Sequence, residues 1–165
     1  MNYDLLNFVI ASLALLVALY SIYYAHRCNR RKIMIGNGTF YSDTQEPPIA
    51  WFEIHNVSPR PITITGIYFH LSNGVELQPL LGHEPTQTYS ISGPFNSKIP
   101  DIIPGYLYAD ELDAPHILQP YTSIELGYYF KKFYSIMEIS VVCEERVYHF
   151  KKHQSFSVHF SNIKE

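Results

Sequence analysis

Pro61-Ile62-Thr63-Ile64-Thr65-Gly66-Ile67-Tyr68-Phe69-His70-Leu71, with Ser72-Asn73-Gly74 and Val75-Glu76-Leu77 after it, decides the fold class. Ile62 and Ile64 alternate with Thr63 and Thr65, the period of a strand with one buried face. β-Branched and aromatic residues fill the stretch, and these suit a pleated surface. After Gly66 the inward set shifts by one, to Ile67, Phe69 and Leu71, which marks a β-bulge at the glycine. Asn73-Gly74 is a hairpin signal, because both residues tolerate the positive φ that a tight turn requires. The chain therefore turns there and returns through Val75-Glu76-Leu77.

The flanking segments carry the same signature. Upstream, Ile33 to Tyr41 opens the domain, and Ala50-Trp51-Phe52-Glu53-Ile54-His55-Asn56 alternates with Phe52 and Ile54 inward. Downstream, strands are predicted over Ser123–Phe130, Met137–Cys143, Val147–Lys151 and Phe156–Phe160, with Glu144-Glu145-Arg146 as a short hairpin link. Ile139, Val141 and Cys143 share one face; Glu138, Ser140, Val142 and Glu144 share the other. Fourteen Tyr and ten Phe against one Trp favour strands over helices. After residue 32 no segment sustains a helical period. The 133 residues of 33–165 suffice for one domain with its own core.

Residues 82–115 break the pattern. Prolines at 85, 94, 100, 104 and 115 and glycines at 82, 93 and 105 make this stretch too long for an ordinary strand connection. Long loops on rigid sheets often carry binding. Tyr106, Leu107 and Tyr108 are the candidate partner-contacting residues. The alternative is a loop folded over a sheet edge, its aromatics capping the core.

The N-terminus is of another kind. The run from Leu5 to Ala25 has no charge, and a helix of that length spans roughly 30 Å, the thickness of a hydrocarbon core. Tyr20, Tyr23 and Tyr24 gather at its C-terminal end, as in an interfacial aromatic belt. A cleaved signal peptide fits poorly: Asp4 and no cation precede the run, and Tyr23-Tyr24-Ala25-His26 is no cleavage site. Arg27, Arg30, Arg31 and Lys32 follow directly. The positive-inside tendency puts them in the cytoplasm, with the N-terminus outside and residues 33–165 inside. They also suit contact with anionic headgroups. Residues 1–4 are then an N-terminal flank, 5–25 the span, 26–32 a basic juxtamembrane segment and 33–165 the β-domain.

Within the span, Asn7, Ala11, Ala14, Ala18, Ser21 and Ala25 fall at alternating steps of four and three, the seam of a left-handed helix pair. Small residues let helices approach closely in lipid, and Asn7 can bond across. A homodimer, or packing on a partner's span, is the expectation.

Chemistry is sparse. Residues 33–165 carry a formal charge of −6, which argues against nucleic acid as a partner. His149 and His153 would lie roughly 13 Å apart on one strand face and cannot share an ion. His55, His70 and His159 are the other metal candidates, and no metal or other cofactor is expected. Cys143 sits in an apolar strand, where a thiol packs as a small hydrophobe. Its distance from Cys28 at the membrane edge argues against a disulfide framework. No Gly-x-Ser-x-Gly, phosphate loop, Cys-x-x-Cys or nucleotide fingerprint occurs, so no catalytic residue is assigned. Asn37-Gly38-Thr39 and Asn56-Val57-Ser58 match the glycosylation pattern, a short match of little weight.

Asn56-Val57-Ser58-Pro59-Arg60-Pro61-Ile62-Thr63-Ile64-Thr65-Gly66-Ile67 resembles a pattern in small bacterial membrane-anchored proteins with immunoglobulin-like domains. There a strand ends in Asn, a turn carries Arg-Pro and the next strand reads Ile-Thr-Ile. Ile117-Leu118-Gln119-Pro120 resembles their Leu-x-Pro-Gly lead-in, with Tyr121 in place of Gly. The closing pair, Ile136 to Lys152, is similar to their final hairpin. The resemblance implies an all-β, immunoglobulin-like antiparallel β-sandwich behind one transmembrane helix, a fold rather than an activity. The expected function is a non-catalytic, membrane-anchored module that binds a protein at the bilayer. In layout the chain is also similar to prophage-encoded superinfection-exclusion proteins, which gives the alternative expectation.

Overall fold

A computed structural model describes residues 3–28, 30–42, 46–92, 97–147 and 151–164. Among them, one long helix, α1 (Tyr3–Cys28), precedes the strands β1 (Ile33–Ile35), β2 (Gly38–Ser42), β3 (Ile49–Asn56), β4 (Ile62–His70), β5 (Glu76–Leu77), β6 (Tyr89–Ser92), β7 (Ser97–Pro100), β8 (His116–Leu118), β9 (Ser123–Tyr129), β10 (Ile136–Cys143) and β11 (His153–Lys164). The chain is thus all-β behind one apolar helix. The stretch Leu6–Ala25 of α1 is long and apolar enough to cross a membrane, and none of it is buried against the domain. Among the described residues nothing packs on the small-residue seam from Asn7 to Ala25, and the Ser21 hydroxyl donates to the Val17 carbonyl of its own helix (2.8 Å).

All the strands but β6 and β7 form one sheet curled on itself. β3 pairs with β9 along one edge and with β1 and β2, end to end, along the other. Between β1 and β2 the register against β3 slips by one residue at Gly36-Asn37, so the two are a single bulged strand. β10 pairs with β4, and β5 and β8 share the far edge of β4. The join is β11. Its first part runs antiparallel to β10, and its last five residues, Phe160–Lys164, run parallel to β2.

Alternation puts the expected residues inside. Ala50, Phe52 and Ile54 of β3 and Met137, Ile139, Val141 and Cys143 of β10 are buried. Phe40, Phe52, Phe69 and Phe130 meet with Tyr128 in a web of tilted and edge-on rings. Each such side chain stabilises the fold by about 2 kcal/mol through area alone. The inferred bulge in β4 is present: Val142 faces Gly66 while Cys143 faces Ile64, leaving Thr65 unopposed. The Asn73-Gly74 hairpin also forms, with Gly74 at φ +82° and Asn73 Oδ1 accepting the Val75 N–H (3.1 Å).

Three expectations need correction. Residues 82–115 are not a plain loop. They hold the β6–β7 hairpin, whose strands pair with each other and, among the described residues, with no other strand, and a 3-10 turn at Gly105–Leu107. The sequence hides the hairpin because Ser and Pro alternate there with exposed apolar residues, without a core-facing stripe. Second, β10 does not pair with a strand over Val147–Lys151. Its partner is His153–His159, and the Cys143 N–H donates to the Lys152 carbonyl (2.7 Å). Most of the expected 147–151 strand, including His149, lies outside the described residues. Third, Phe156–Phe160 belongs to a strand of 12 residues, because β11 serves both halves of the sheet.

Candidate functional site

The outer face of β2, β3 and β9 forms a grid whose rows follow from the register. Tyr41, Ile49 and Tyr129 make one row, Thr39, Trp51 and Gly127 the next, then Glu53 and Glu125, then Met34, His55 and Ser123. The first row is apolar and is roofed by the chain around Gly105–Leu107. Leu107 is 5% exposed and packs with Ile49 and Tyr129, with Leu80, Ile103 and Ala109 around them. Tyr129 donates its hydroxyl to the Leu107 carbonyl. Burial first, and the Glu46 charge second, push that phenol up to about 12.

Trp51 stands where the roof ends. Its Nε1–H donates to the Tyr106 carbonyl (2.8 Å), which fixes the ring. The Tyr106 ring stacks on Tyr41 at 4.4 Å. Beyond Trp51 the face is open, and a cleft of about 400 Å³ lies there, lined by Asn37, Thr39, Tyr41, Trp51, Phe52, Glu53, Gly105, Tyr106 and Glu125. Glu53 and Glu125 face each other directly across β3 and β9. Like charges in that position destabilise a sheet. Nearby, His55 Nε2 is 3.5 Å from Glu53 Oε2. An aromatic wall and two carboxylates thus line one opening, and side chains of these kinds can meet a cation or a hydrogen-bond donor.

A second clip holds the roof. Glu46, 6% exposed at its side chain, accepts from the Thr86 N–H (2.6 Å) and lies 2.8 Å from His83 Nε2. Burial alone would raise the Glu46 carboxyl. The bonds from His83 and Thr86, with the His83 charge, outweigh it and hold the group below its ordinary value.

The expected partner-contacting residues separate. Tyr106 reaches the cleft, Leu107 is core, and Tyr108 is 53% exposed. They do not make one surface; the roofing role is the one the packing displays. Of the basic cluster, Arg30 and Lys32 are exposed, whereas Arg31 Nε donates to the Pro61 carbonyl (3.2 Å). Arg27 falls in the last turn of α1. Asn56 is buried: its Nδ2 donates to the carbonyls of Arg60, Leu118 and Gln119, and its Oδ1 accepts from Ser58, so it is no glycosylation acceptor in the fold. Among the described residues no three His, Cys, Asp or Glu side chains gather around one point.

Trp51, Glu53 and Glu125 were not singled out in the sequence. The signal was the outward half of the two alternating strands, where a Trp shares the solvent face with acids. No protein-family model matches the chain, and no curated protein sequence matches it.

Proposed function

We propose that this protein is a membrane-anchored, non-catalytic binding module with an immunoglobulin-like sandwich, whose cleft takes a cationic group of a protein at the bilayer. α1 is the single transmembrane anchor, with the N-terminus outside and the domain in the cytoplasm. Support for the sandwich comes from the pairing order. β3 joins β1 and β9 in one half, β11, β10 and β4 run side by side in the other, and the last strand lies parallel to the first. The observation that carries the function is the Glu53–Glu125 pair facing each other beside Trp51 in an open cleft. Two carboxylates so placed cost stability unless something positive meets them; His55 lies beside Glu53, and the cleft leaves room for a cation that meets both acids.

Position agrees with this reading. Glu53 is three residues from Asn56, where β3 ends beside the exit of α1, so the cleft begins roughly 10 Å from the membrane side of the domain. Confinement by α1 raises the effective concentration of partners at that surface.

The chain's one Trp lines the cleft and reports on it. Titration with acetyl-arginine amide is expected to shift Trp51 emission saturably. Acetyl-glutamine amide, similar in shape but neutral, is expected to leave it unchanged. Glu53→Gln with Glu125→Gln should abolish the response while the melting temperature holds or rises. A native protein equally indifferent to both ligands would overturn the reading.

A further inference from the structure

We infer that the end of the β-domain adjoining α1 is a bilayer-docking surface, on which Tyr121 enters the headgroup layer among a cluster of cations; this rests on α1 spanning the membrane.

Three strands meet at this end: β1 begins there opposite the last residue of β3, and β9 begins there opposite His55. The Val57 N–H donates to the Lys32 carbonyl (3.0 Å), and Arg31 Nε bonds the Pro61 carbonyl (3.2 Å). Lys32 is four residues past Cys28, the last residue of α1. Even a fully extended chain therefore keeps the β3–β4 turn within roughly 14 Å of the helix end. The tether alone brings this end to the headgroup layer.

Charge selects the same end. Residues 33–165 are acidic, at −6 formally, yet half of their eight cations gather here. Arg60 is in the β3–β4 turn. Arg146, Lys151 and Lys152 follow β10, whose end is fixed there by the Cys143 and Val147 N–H bonds to Lys152 and Lys151 (2.7 and 2.9 Å). All four side chains are exposed, and Arg30 and Lys32 add to them. Glu144 and Glu145 share the end, Glu145 accepting from the Thr63 N–H (2.9 Å), and these six cations outnumber the two acids three to one. Such a cluster is drawn to anionic phospholipid, at about fivefold in binding per cation.

Tyr121 supplies the third observation. Gln119 to Thr122 closes a turn through the Thr122 N–H to the Gln119 carbonyl (3.3 Å), with Pro120 second and Tyr121 third at φ 58°. That third position asks for Gly or Asn. A tyrosine there carries backbone strain. Packing does not offset it, since Tyr121 is 72% exposed. Two bonds from Asn56, to the Gln119 and Thr122 carbonyls, hold this turn beside Val57. A ring with an apolar body and a polar tip, strained in its backbone and projecting beside a membrane exit, has its natural partner in the headgroup layer.

The test uses the full chain with Cys28→Ser, in nanodiscs of phosphatidylcholine with phosphatidylglycerol. Single cysteines at Val57, Leu81 or Leu15 carry a fluorophore; Cys143, 1% exposed, stays unlabelled in the fold. Nitroxide lipids labelled at the headgroup should quench position 57 and spare position 81 at the other end of the domain. Acyl-chain nitroxides should quench position 15. Tyr121→Ala, and Arg60→Glu with Lys152→Glu, should each reduce quenching at 57 severalfold. Quenching at 15 but not at 57 would overturn docking and leave the anchor standing. No quenching at 15 would overturn the anchor, and docking with it. Quenching at 57 that neither variant alters would mean nearness by tether alone, which also overturns docking.

Discussion

Trp51 lies flat across Gly127, its partner on the neighbouring strand: a Cβ at residue 127 would come within 2.8 Å of two ring carbons. The glycine therefore sets the height of the ring, and with the bond to the Tyr106 carbonyl it shapes the cleft wall. Gly127→Ala should lift the ring and break that bond. Overpacking of this kind costs about 1–3 kcal/mol. A lower melting temperature with red-shifted Trp emission is expected. An unchanged spectrum would show that the indole is not held as described.

Leu107 and Tyr108 are adjacent yet opposite in role. Leu107→Ala empties a site closed by Ile49 and Tyr129 and should cost about 2–5 kcal/mol in urea unfolding. Tyr108→Ala, at an exposed position, should stay within about 0.5 kcal/mol. Equal effects of the two changes would refute the roof.

How much of this was legible follows from what each feature depends on. The strands β3, β4, β5, β9 and β10 were, because period-two alternation and an Asn-Gly turn are local signals. So was the apolar length of α1. The parallel pairing of Phe160–Lys164 with Gly38–Ser42 was not, since a strand that changes partners midway has no signature in its own residues. The β6–β7 hairpin was hidden because it buries no face in the core. The cleft was illegible for another reason. Trp51, Glu53 and Glu125 come from strands about seventy residues apart, and only their register puts the two acids side by side.

Cys143 is inside the aromatic core, and burial, with the nearby Glu145 charge second, pushes its thiol up to about 12. Thiolate is the reactive form, so little is available near neutrality. In a Cys28→Ser background, maleimide at pH 8 should leave the folded protein unmodified and label it fully in denaturant. Rapid labelling without denaturant would show that the sheet opens at β10.

Glu46 links the roof to pH. Its carboxyl is held below the ordinary 4.5 by its bonds to His83 and the Thr86 N–H, against the opposing effect of burial. A carboxyl lowered on folding contributes stability that is complete above its unfolded value. That contribution is lost as pH falls through the lower, folded value. The window therefore opens a little below pH 5 and extends downward. Glu46→Gln removes the titrating group and its charge-assisted bonds, at a cost of about 2 kcal/mol near neutrality. Urea unfolding of both proteins should then give a difference that shrinks steadily as pH falls below about 5. Hydrogen exchange at the Thr86 amide should accelerate over the same range in the native protein, since that N–H bonds Glu46 directly. A stability difference that does not change between pH 6 and pH 3 would show that the carboxylate does not hold the roof.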